Sequence, residues 1–400
     1  MLGGIGTLRT VPTSPVPMTD PEIRAELIAG VRRWVEREVL GVASELEHAD
    51  EYPAVLVQQM REMGLFGITV PEEYGGLGLD LLSYIGVVEE LAAGWMSLSG
   101  VINTHHIAAG LLVAHGTEEQ RRRWLPRMVT GELRGCLSLS EPDAGSDTRN
   151  ISCRARRDGD EFVIDGTKTW VTNGERAGLV ALAARTEEGI TCFMVEKEPG
   201  ATSGGITVSR NIGKLGYRGL ETVEMSYAGH RVPADSVLGG DAGLGHGLGA
   251  ILGGLEVGRI NIAARAVGVA RAAFEAAIAY AQERETFGKP IAQHQAIAHK
   301  LADMGTKLQA ARLLTEHAAV LRMTTGRADV EAGMAKLFAS EAALEIATDA
   351  MRIHGGVGYT TDLPLERYFR DAPLMIIGEG TNEIQRTVIA RGLLQRYAVD

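Results

Sequence analysis

LEVGRINIAARAVGVARAAFEAAIAYAQER, residues 255–284, decides the fold. It is crowded with Ala and with side chains that lose little freedom in a helix, and it contains no proline. Such a run propagates as helix. With the residues just ahead of it, it predicts one long helix over 244–284. The same texture continues to the C-terminus with few breakers. It predicts further helices over 292–325, 329–353 and 382–395, interrupted at Gly288-Lys-Pro290 and at His354-Gly-Gly-Val-Gly358. Four long amphipathic helices in succession imply a helical bundle.

Ahead of the bundle, over 135–240, the texture is different. Short, often β-branched runs at 151–157, 161–165, 168–172, 179–184, 191–196 and 222–227 are punctuated by Gly, Asp and Asn. They predict a small antiparallel β unit. From 21 to 134 the pattern is helical again. Ile23, Leu27, Val31, Trp34, Val35, Val39 and Leu40 recur at helical spacing within 22–47. Helices are also predicted over 55–63, 81–93, 101–115 and 118–128, with Thr117 as the N-cap of the last. Residues 1–17 are rich in Gly, Thr and Pro and lack the charged-then-apolar order of a signal peptide, so they read as a flexible leader. The expected plan is a leader at 1–17, a helical domain at 18–134, a β domain at 135–240 and a four-helix bundle at 241–400. The fold class is mainly α with a central β domain.

Composition excludes several functions. Lys and Arg number 40 against 51 Asp and Glu, a net charge of −11. That balance opposes nucleic acid as a partner but leaves room for a small anionic ligand in a pocket with a few cations. Three cysteines (Cys136, Cys153 and Cys192) have no metal spacing and are too few for a disulfide framework, which suits a reducing cytoplasm. No apolar run is expected to span a membrane. No His-x-x-x-His or Cys-x-x-Cys pattern predicts a metal, and no Gly-x-Ser-x-Gly elbow predicts a serine hydrolase.

Five motifs can carry chemistry, and each also has an ordinary reading. In CLSLSEPDAGSD (136–147), Ser138, Leu139 and Ser140 leave a strand, Glu141-Pro142 turns the chain, and Gly145 and Ser146 expose donors. The loop can hold a polar heterocycle or a phosphate, or be a plain Pro/Gly turn. In KTWVTNG (168–174), Trp170 and Thr172 are expected on one strand face, suiting a planar cofactor or a packed core. In RETFGKP (284–290), Arg284 and Thr286 can clasp a phosphate or end a helix. HGGVGY (354–359) permits close backbone approach, but it has no Walker lysine and no preceding strand, so it is not a P-loop. In IGEGTNEIQR (377–386), Glu379 stands between glycines after an apolar run. Small neighbours let its carboxylate reach into a pocket where apolar surroundings make it a better base; an exposed turn glutamate is the alternative.

Their order is more telling than any one of them. SEPDAGSD, KTWVTNG, KLGYRG (214–219), RETFGKP, HGGVGY and GEGTNEIQR, with PEEYGGLG (71–78) before them, together resemble the acyl-CoA dehydrogenase family over about 21–397. The resemblance implies an N-terminal helical domain, a middle antiparallel β-barrel and a C-terminal four-helix bundle. It implies a homotetramer, a dimer of dimers, with FAD between the middle domain and the bundle and its adenine end on a neighbouring subunit. It assigns Leu137, Ser138, Leu139, Ser140, Gly145 and Ser146 to the flavin loop, Ser146 also facing CoA. Trp170, Val171 and Thr172 fall beside the isoalloxazine, and Arg284, Thr286 and Phe287 on the pyrophosphate of a neighbour's FAD. Gln295, Arg352, Ile353, Gly355 and Gly356 are further cofactor contacts, with Thr381 and Asn382 beside the flavin. Glu256, Arg259 and Gly380 are on the substrate side.

The same resemblance makes Glu379 the catalytic base. Some relatives carry that base on the first bundle helix just before the matching Arg, but here the position is Gly258. Two departures stand out: Arg352 where many relatives have Gln, and Gly219 where a small hydroxyl residue is common. The implied reaction is α,β-dehydrogenation of an acyl-CoA thioester to the trans-2-enoyl-CoA, with electrons passed to electron-transfer flavoprotein. The acyl chain is expected to be short, medium or branched, its length set by residues 98–109. The competing readings are an acyl-CoA oxidase using oxygen, usually a longer chain, and a non-catalytic relative, which the intact Glu379 and flavin motifs oppose.

Overall fold

The computed structural model describes residues 18–399; the leader assigned to 1–17 lies outside them. The N-terminal region begins with α1 (Pro21–Trp34), capped by the Asp20 carboxylate, which accepts the Glu22 N–H. The stretch read at helical spacing within 22–47 is helical in pieces. A wide π turn over Val35–Val39 follows α1, and α2 (Ala43–His48) starts afresh. After α3 (Ala54–Glu62) comes α4 (Leu81–His115), interrupted at Trp95, whose extended backbone (φ −159°, ψ 111°) separates two helical segments, in keeping with the two helices expected over 81–93 and 101–115. The Thr117 cap is present and is reciprocal: its hydroxyl accepts the Gln120 N–H, and the Gln120 side chain accepts the Thr117 N–H, starting α5 (Glu118–Val129).

By length and composition α4 could cross a membrane, contrary to the expectation that no apolar run is long enough, yet 83% of its most apolar stretch is buried inside the fold. It is the shared core helix. Its N-terminal half packs in the core with α1 and α6, and its C-terminal half against the β domain.

The middle region holds β1 (Gly135–Ser138), β2 (Arg154–Asp158), β3 (Glu161–Thr172), β4 (Leu179–Thr186), β5 (Gly189–Glu196), β6 (Thr202–Ser203), β7 (Ile206–Val208) and β8 (Thr222–Pro233). They form one sheet in the order β1-β4-β2-β3-β8-β7-β6, with β5 also paired to β4. The sheet is not wholly antiparallel: β1 runs parallel to β4, and β2 meets β4 in parallel at Arg154 and Arg185. Strand β4 shows why the sequence reads as apolar without alternation. Leu179, Ala181 and Ala183 face the helical side with Trp124 and Leu112, while Val180, Leu182 and Ala184 face Phe162, Ile164 and Val223. A strand buried on both faces has no polar side to reveal its period.

The C-terminal region contains α6 (Gly247–Glu283), a small hairpin of β9 (Glu285–Thr286) and β10 (Lys289–Pro290), α7 (Gln295–Thr325), α8 (Asp329–His354), α9 (Leu365–Ile377) and α10 (Asn382–Arg396). The four expected helices are α6, α7, α8 and α10. Helix α9 was not anticipated. It is short and carries Pro373, but Leu365, Tyr368, Ala372 and Met375 bury one face at helical spacing. It matters because its C-terminal end delivers Glu379.

Candidate active site

Glu379 leaves the end of α9 in a left-handed conformation (φ 54°), followed by Gly380 at φ 86°. A non-glycine residue persists there only when its surroundings hold it. The holder is Lys336, fully buried on α8. Its ammonium donates to the carbonyls of Ile376 (2.9 Å) and Gly380 (3.0 Å) and to Asn382 Oδ1 (2.7 Å). Gln385 adds a bond to the Gly380 carbonyl (3.0 Å), and Thr381 caps α10. Burial pulls the Lys336 pKa down to about 8, against the attraction of Glu379 and Glu383.

The carboxylate is thereby thrust between α4 and α6. Asn103 Nδ2 of α4 donates to its Oε1 at 2.5 Å. Its Oε2 is buried with no hydrogen-bond partner. On α6 a Cβ at Gly258 would stand 2.0 Å from that oxygen, so the Glu379 carboxylate occupies the very space that a side chain at 258 would need. The exposed-turn reading of Glu379 is excluded. Burial pushes its pKa up, only partly opposed by Arg265, Asn103, Lys336 and Arg259.

The 136–147 loop is set by a buried ion pair. Glu141 accepts from Lys168 Nζ (2.8 Å), from the Ser152 N–H and hydroxyl and from the Cys153 N–H, while Lys168 also donates to the Leu139 carbonyl (2.9 Å). Burial pushes the Glu141 pKa up, but these donors outweigh it and hold the carboxyl below its usual range. Within the loop, Ser138 is buried with its hydroxyl 3.4 Å from the Tyr227 hydroxyl, and Leu139 is buried, so both leave mainly backbone for a ligand. Leu137 and Ser140 are half-buried; Gly145 and Ser146 are exposed.

Trp170 corrects the expectation of simple strand alternation. The register of β3 against β8 jumps between Lys168 and Val171, and at this bulge Trp170 takes φ 59° and is left 62% exposed. Val171 beside it is buried, and Thr172 is half-buried. The turn that follows is tied to α4, where Asn173 Nδ2 donates to Thr104 Oγ1 (2.8 Å), next to Asn103. The bulge and the Glu379 carboxylate therefore hang on the same turn of the same helix. An uncovered indole beside a threonine hydroxyl, near a loop rich in backbone donors, fits a planar heterocycle.

Most other expected residues lie apart from Glu379, whereas Arg259 acts on its charge and Asn382 bonds the Lys336 that holds its turn. Arg284 is exposed, Thr286 Oγ1 is 3.1 Å from His294 Nε2, and Phe287 at the hairpin tip is 97% exposed. Gln295 is exposed. Arg352 is exposed and paired with Asp349 (2.9 Å), Ile353 is buried, and Gly355 and Gly356 form the exposed turn after α8. Glu256 is turned to the α7–α8 junction, accepting the Ala328 N–H (2.6 Å) and pairing with Arg322 (3.2 Å), with its pKa pushed up to about 7 by burial and by Asp329. Arg259 lies 4.0 Å from Asp329. Asn382 is fully buried and occupied by Lys336, Ser340 and Glu341, so it shapes the turn. The glycine at 219 has a steric reason: a Cβ there would come within 2.5 Å of the Trp95 ring. Among the described residues one cluster has metal-ligand spacing, Glu47, His48 and Glu366, and Arg370 already bonds both of its glutamates.

Sequence reasoning missed Asn103, Lys336, Arg265 and the Glu141–Lys168 pair. Lys336 and Arg265 did leave a trace, since each is a cation on the apolar stripe of an Ala-rich helix.

Fold and site together define a three-part α–β–α protein with an enclosed carboxylate and a flat, half-covered aromatic shelf. Three family models match in order: acyl-CoA dehydrogenase N-terminal domain over 21–132, middle domain over 136–229 and C-terminal domain over 245–394. The human mitochondrial short-chain specific acyl-CoA dehydrogenase is 40% identical over 383 residues, covering 94% of this chain and 91% of that protein. The (2S)-methylsuccinyl-CoA dehydrogenase of Cereibacter sphaeroides is 39% identical over 375 residues, covering 91% of this chain and 68% of that protein. Among solved structures, butyryl-CoA dehydrogenase from Megasphaera elsdenii superposes with a TM-score of 0.88 at 33% identity, covering 94% of this chain and 100% of that one. The chain belongs to the acyl-CoA dehydrogenase family, oxidoreductases that act on CH–CH groups and bind FAD.

Proposed function

We propose that this chain oxidises a bound acyl-CoA thioester between its α and β carbons, with Glu379 as the base that removes the α-proton. The observation that carries this reading is the Glu379 carboxylate. It is enclosed between α4 and α6, its Oε2 has no partner, and burial raises its pKa. A carboxylate poised in this way is matched to proton abstraction near neutral pH. Bound FAD supplies the acceptor for the β-hydride. The residues that would hold it are the 137–146 loop, Trp170 and Thr172, with Thr381 beside the ring.

The chain's own work is positional. Lys336 fixes the turn that aims Glu379, so the carboxylate stays aligned while the proton moves. Asn103 orients one carboxylate oxygen and leaves the other free to take the proton. The backbone N–H of Glu379 is the donor that the family resemblance assigns to the thioester oxygen, where charge develops. The acyl chain expels water from the crevice and strengthens the base further. Ser146, Arg259 and Gly380 are proposed on the substrate side.

Electron-transfer flavoprotein is the proposed acceptor of the electrons. A homotetramer is proposed as the working form, with Arg284, Thr286, Phe287, Gln295 and the Gly355-Gly356 turn reaching a neighbour's FAD. The fully exposed Phe287 ring supports that, as does an apolar groove on α7 lined by Leu301, Ala302, Gly305 and Leu313. The three free cysteines are all buried, which agrees with the proposed cytoplasmic location. Anaerobic titration of the FAD-loaded protein with a panel of acyl-CoAs tests the reading. Loss of flavin absorbance with at least one thioester is expected; no loss with any would reject it.

A further inference from the structure

Arg265 on α6 is 2% exposed and among the largest fully buried side chains. Its Nε donates to Asn261 Oδ1 (2.7 Å) and its Nη1 to the Tyr217 hydroxyl (3.1 Å). Its Nη2 is buried and bonds to nothing. Among the described residues no carboxylate lies within ion-pair distance of it. The nearly buried Arg271 and Arg370, by contrast, are each flanked by glutamates. The charge that faces it is the Glu379 carboxylate, which makes no ion pair with it; a buried cation without an ion pair costs several kcal/mol, and a free donor on it adds to that cost.

Two contacts locate the guanidinium. The Tyr217 hydroxyl that it holds fills the space beside Gly100 of α4, where a Cβ would lie 1.7 Å away. Gly100 is one turn before Asn103, the residue that holds Glu379. On α6, Gly258 faces the Glu379 carboxylate and Arg265 follows seven residues later, on the same helix face two turns away. Arg265 therefore lies between α4 and α6, beyond the Glu379 carboxylate. The wall between them is polar. Asn261 donates to the Tyr84 hydroxyl (2.8 Å), and Tyr84 lies 4.6 Å from the His106 ring. His106 Nε2 and Asn103 Oδ1 are both buried without partners. A crevice built to hold only hydrocarbon has no use for these groups.

We propose that the Arg265 guanidinium receives a carboxylate at the far end of the acyl group, so that the substrate is a short acyl-CoA whose chain ends in a carboxylate. The inference rests on the dehydrogenase reading above and names its substrate class. It also balances charge through the reaction. Glu379 becomes neutral when it takes the α-proton, and a terminal carboxylate then remains as the counter-ion of Arg265. Tyr217 and Asn261 set the direction of the fork, leaving Nη2 as the open donor.

The test uses FAD-loaded enzyme under anaerobic conditions with thioesters matched in length: glutaryl-CoA against pentanoyl-CoA, and adipoyl-CoA against hexanoyl-CoA. The second-order rate constant for flavin reduction is expected to favour the carboxylated member of at least one pair by tenfold or more. Arg265→Met is expected to lower that ratio at least a hundredfold, and Arg265→Lys to lower it less. A preference for the neutral member in both pairs overturns the proposal, and it does so in the parent enzyme even if the variants fail to fold. So does an unchanged ratio in Arg265→Met that keeps its FAD. A shifted pH profile with an unchanged ratio would mean that Arg265 only tunes Glu379, which also overturns it. If no thioester of either kind reduces the flavin, the dehydrogenase reading is what has failed, and this inference falls with it.

Discussion

At Glu379 the energetics and the chemistry pull in opposite directions. Burial favours the neutral acid, while the proposed proton abstraction needs the anion. Since burial holds the pKa above the ordinary carboxylate range, the rate of flavin reduction should climb with pH through that raised value and level off above it. The same shift has a sign for stability. The folded protein binds this proton more tightly than the unfolded chain, so stability declines as pH rises from the ordinary carboxylate pKa through the raised one. Glu379→Gln removes that penalty. Thermal melts should show it above the parent at about pH 8, with the difference closing towards about pH 4. Gly258 gives a second prediction at this scale. Gly258→Ala forces a methyl group into the space of Oε2. Displacing the carboxylate by about an ångström is expected to cost about a hundredfold in flavin-reduction rate with FAD content unchanged. The sequence made Glu379 legible through its glycine neighbours and its motif. It could not reveal Asn103, because an asparagine inside an apolar helix shows its partner only once α9 has been folded onto α4.

Elements matter here through the turns that join them. The α9–α10 turn carries a left-handed glutamate because one ammonium on α8 gathers two of its carbonyls and the side-chain amide of Asn382. Lys336→Met should leave those acceptors unsatisfied. The expected cost is about 2–3 kcal/mol in denaturant unfolding, with a drop of about a hundredfold in flavin reduction. The β domain has its own pin. Lys168→Met strips the buried Glu141 of its counter-ion, which should destabilise by about 3–5 kcal/mol and lower FAD occupancy by loosening the 137–146 loop. At this scale the sequence was most readable where periodicity was long and clean, as in α6, α7 and α8. It was least readable where tertiary contacts override local signals. The π turn after Trp34, the bulge at Trp170 and the proline-bearing α9 all depend on partners far away in sequence.

Across the whole molecule, the helical–β–helical plan was visible as three zones of different texture, and the order of six motifs connected it to a family. The parallel placement of β1 against β4 was not visible, because no local pattern says which neighbour a strand will choose. Assembly makes the prediction at this scale. If Arg284 and Phe287 serve a neighbour's cofactor, Arg284→Ala should lose FAD on gel filtration while keeping its helical content. Light scattering of the parent should give the mass of four chains. The central claim, a single carboxyl that takes the α-proton, is tested most directly by rapid-mixing measurement of flavin reduction in Glu379→Gln with the best thioester of the panel. The account predicts a rate at least about a thousandfold below the parent with FAD still bound; a rate within tenfold of the parent would contradict it.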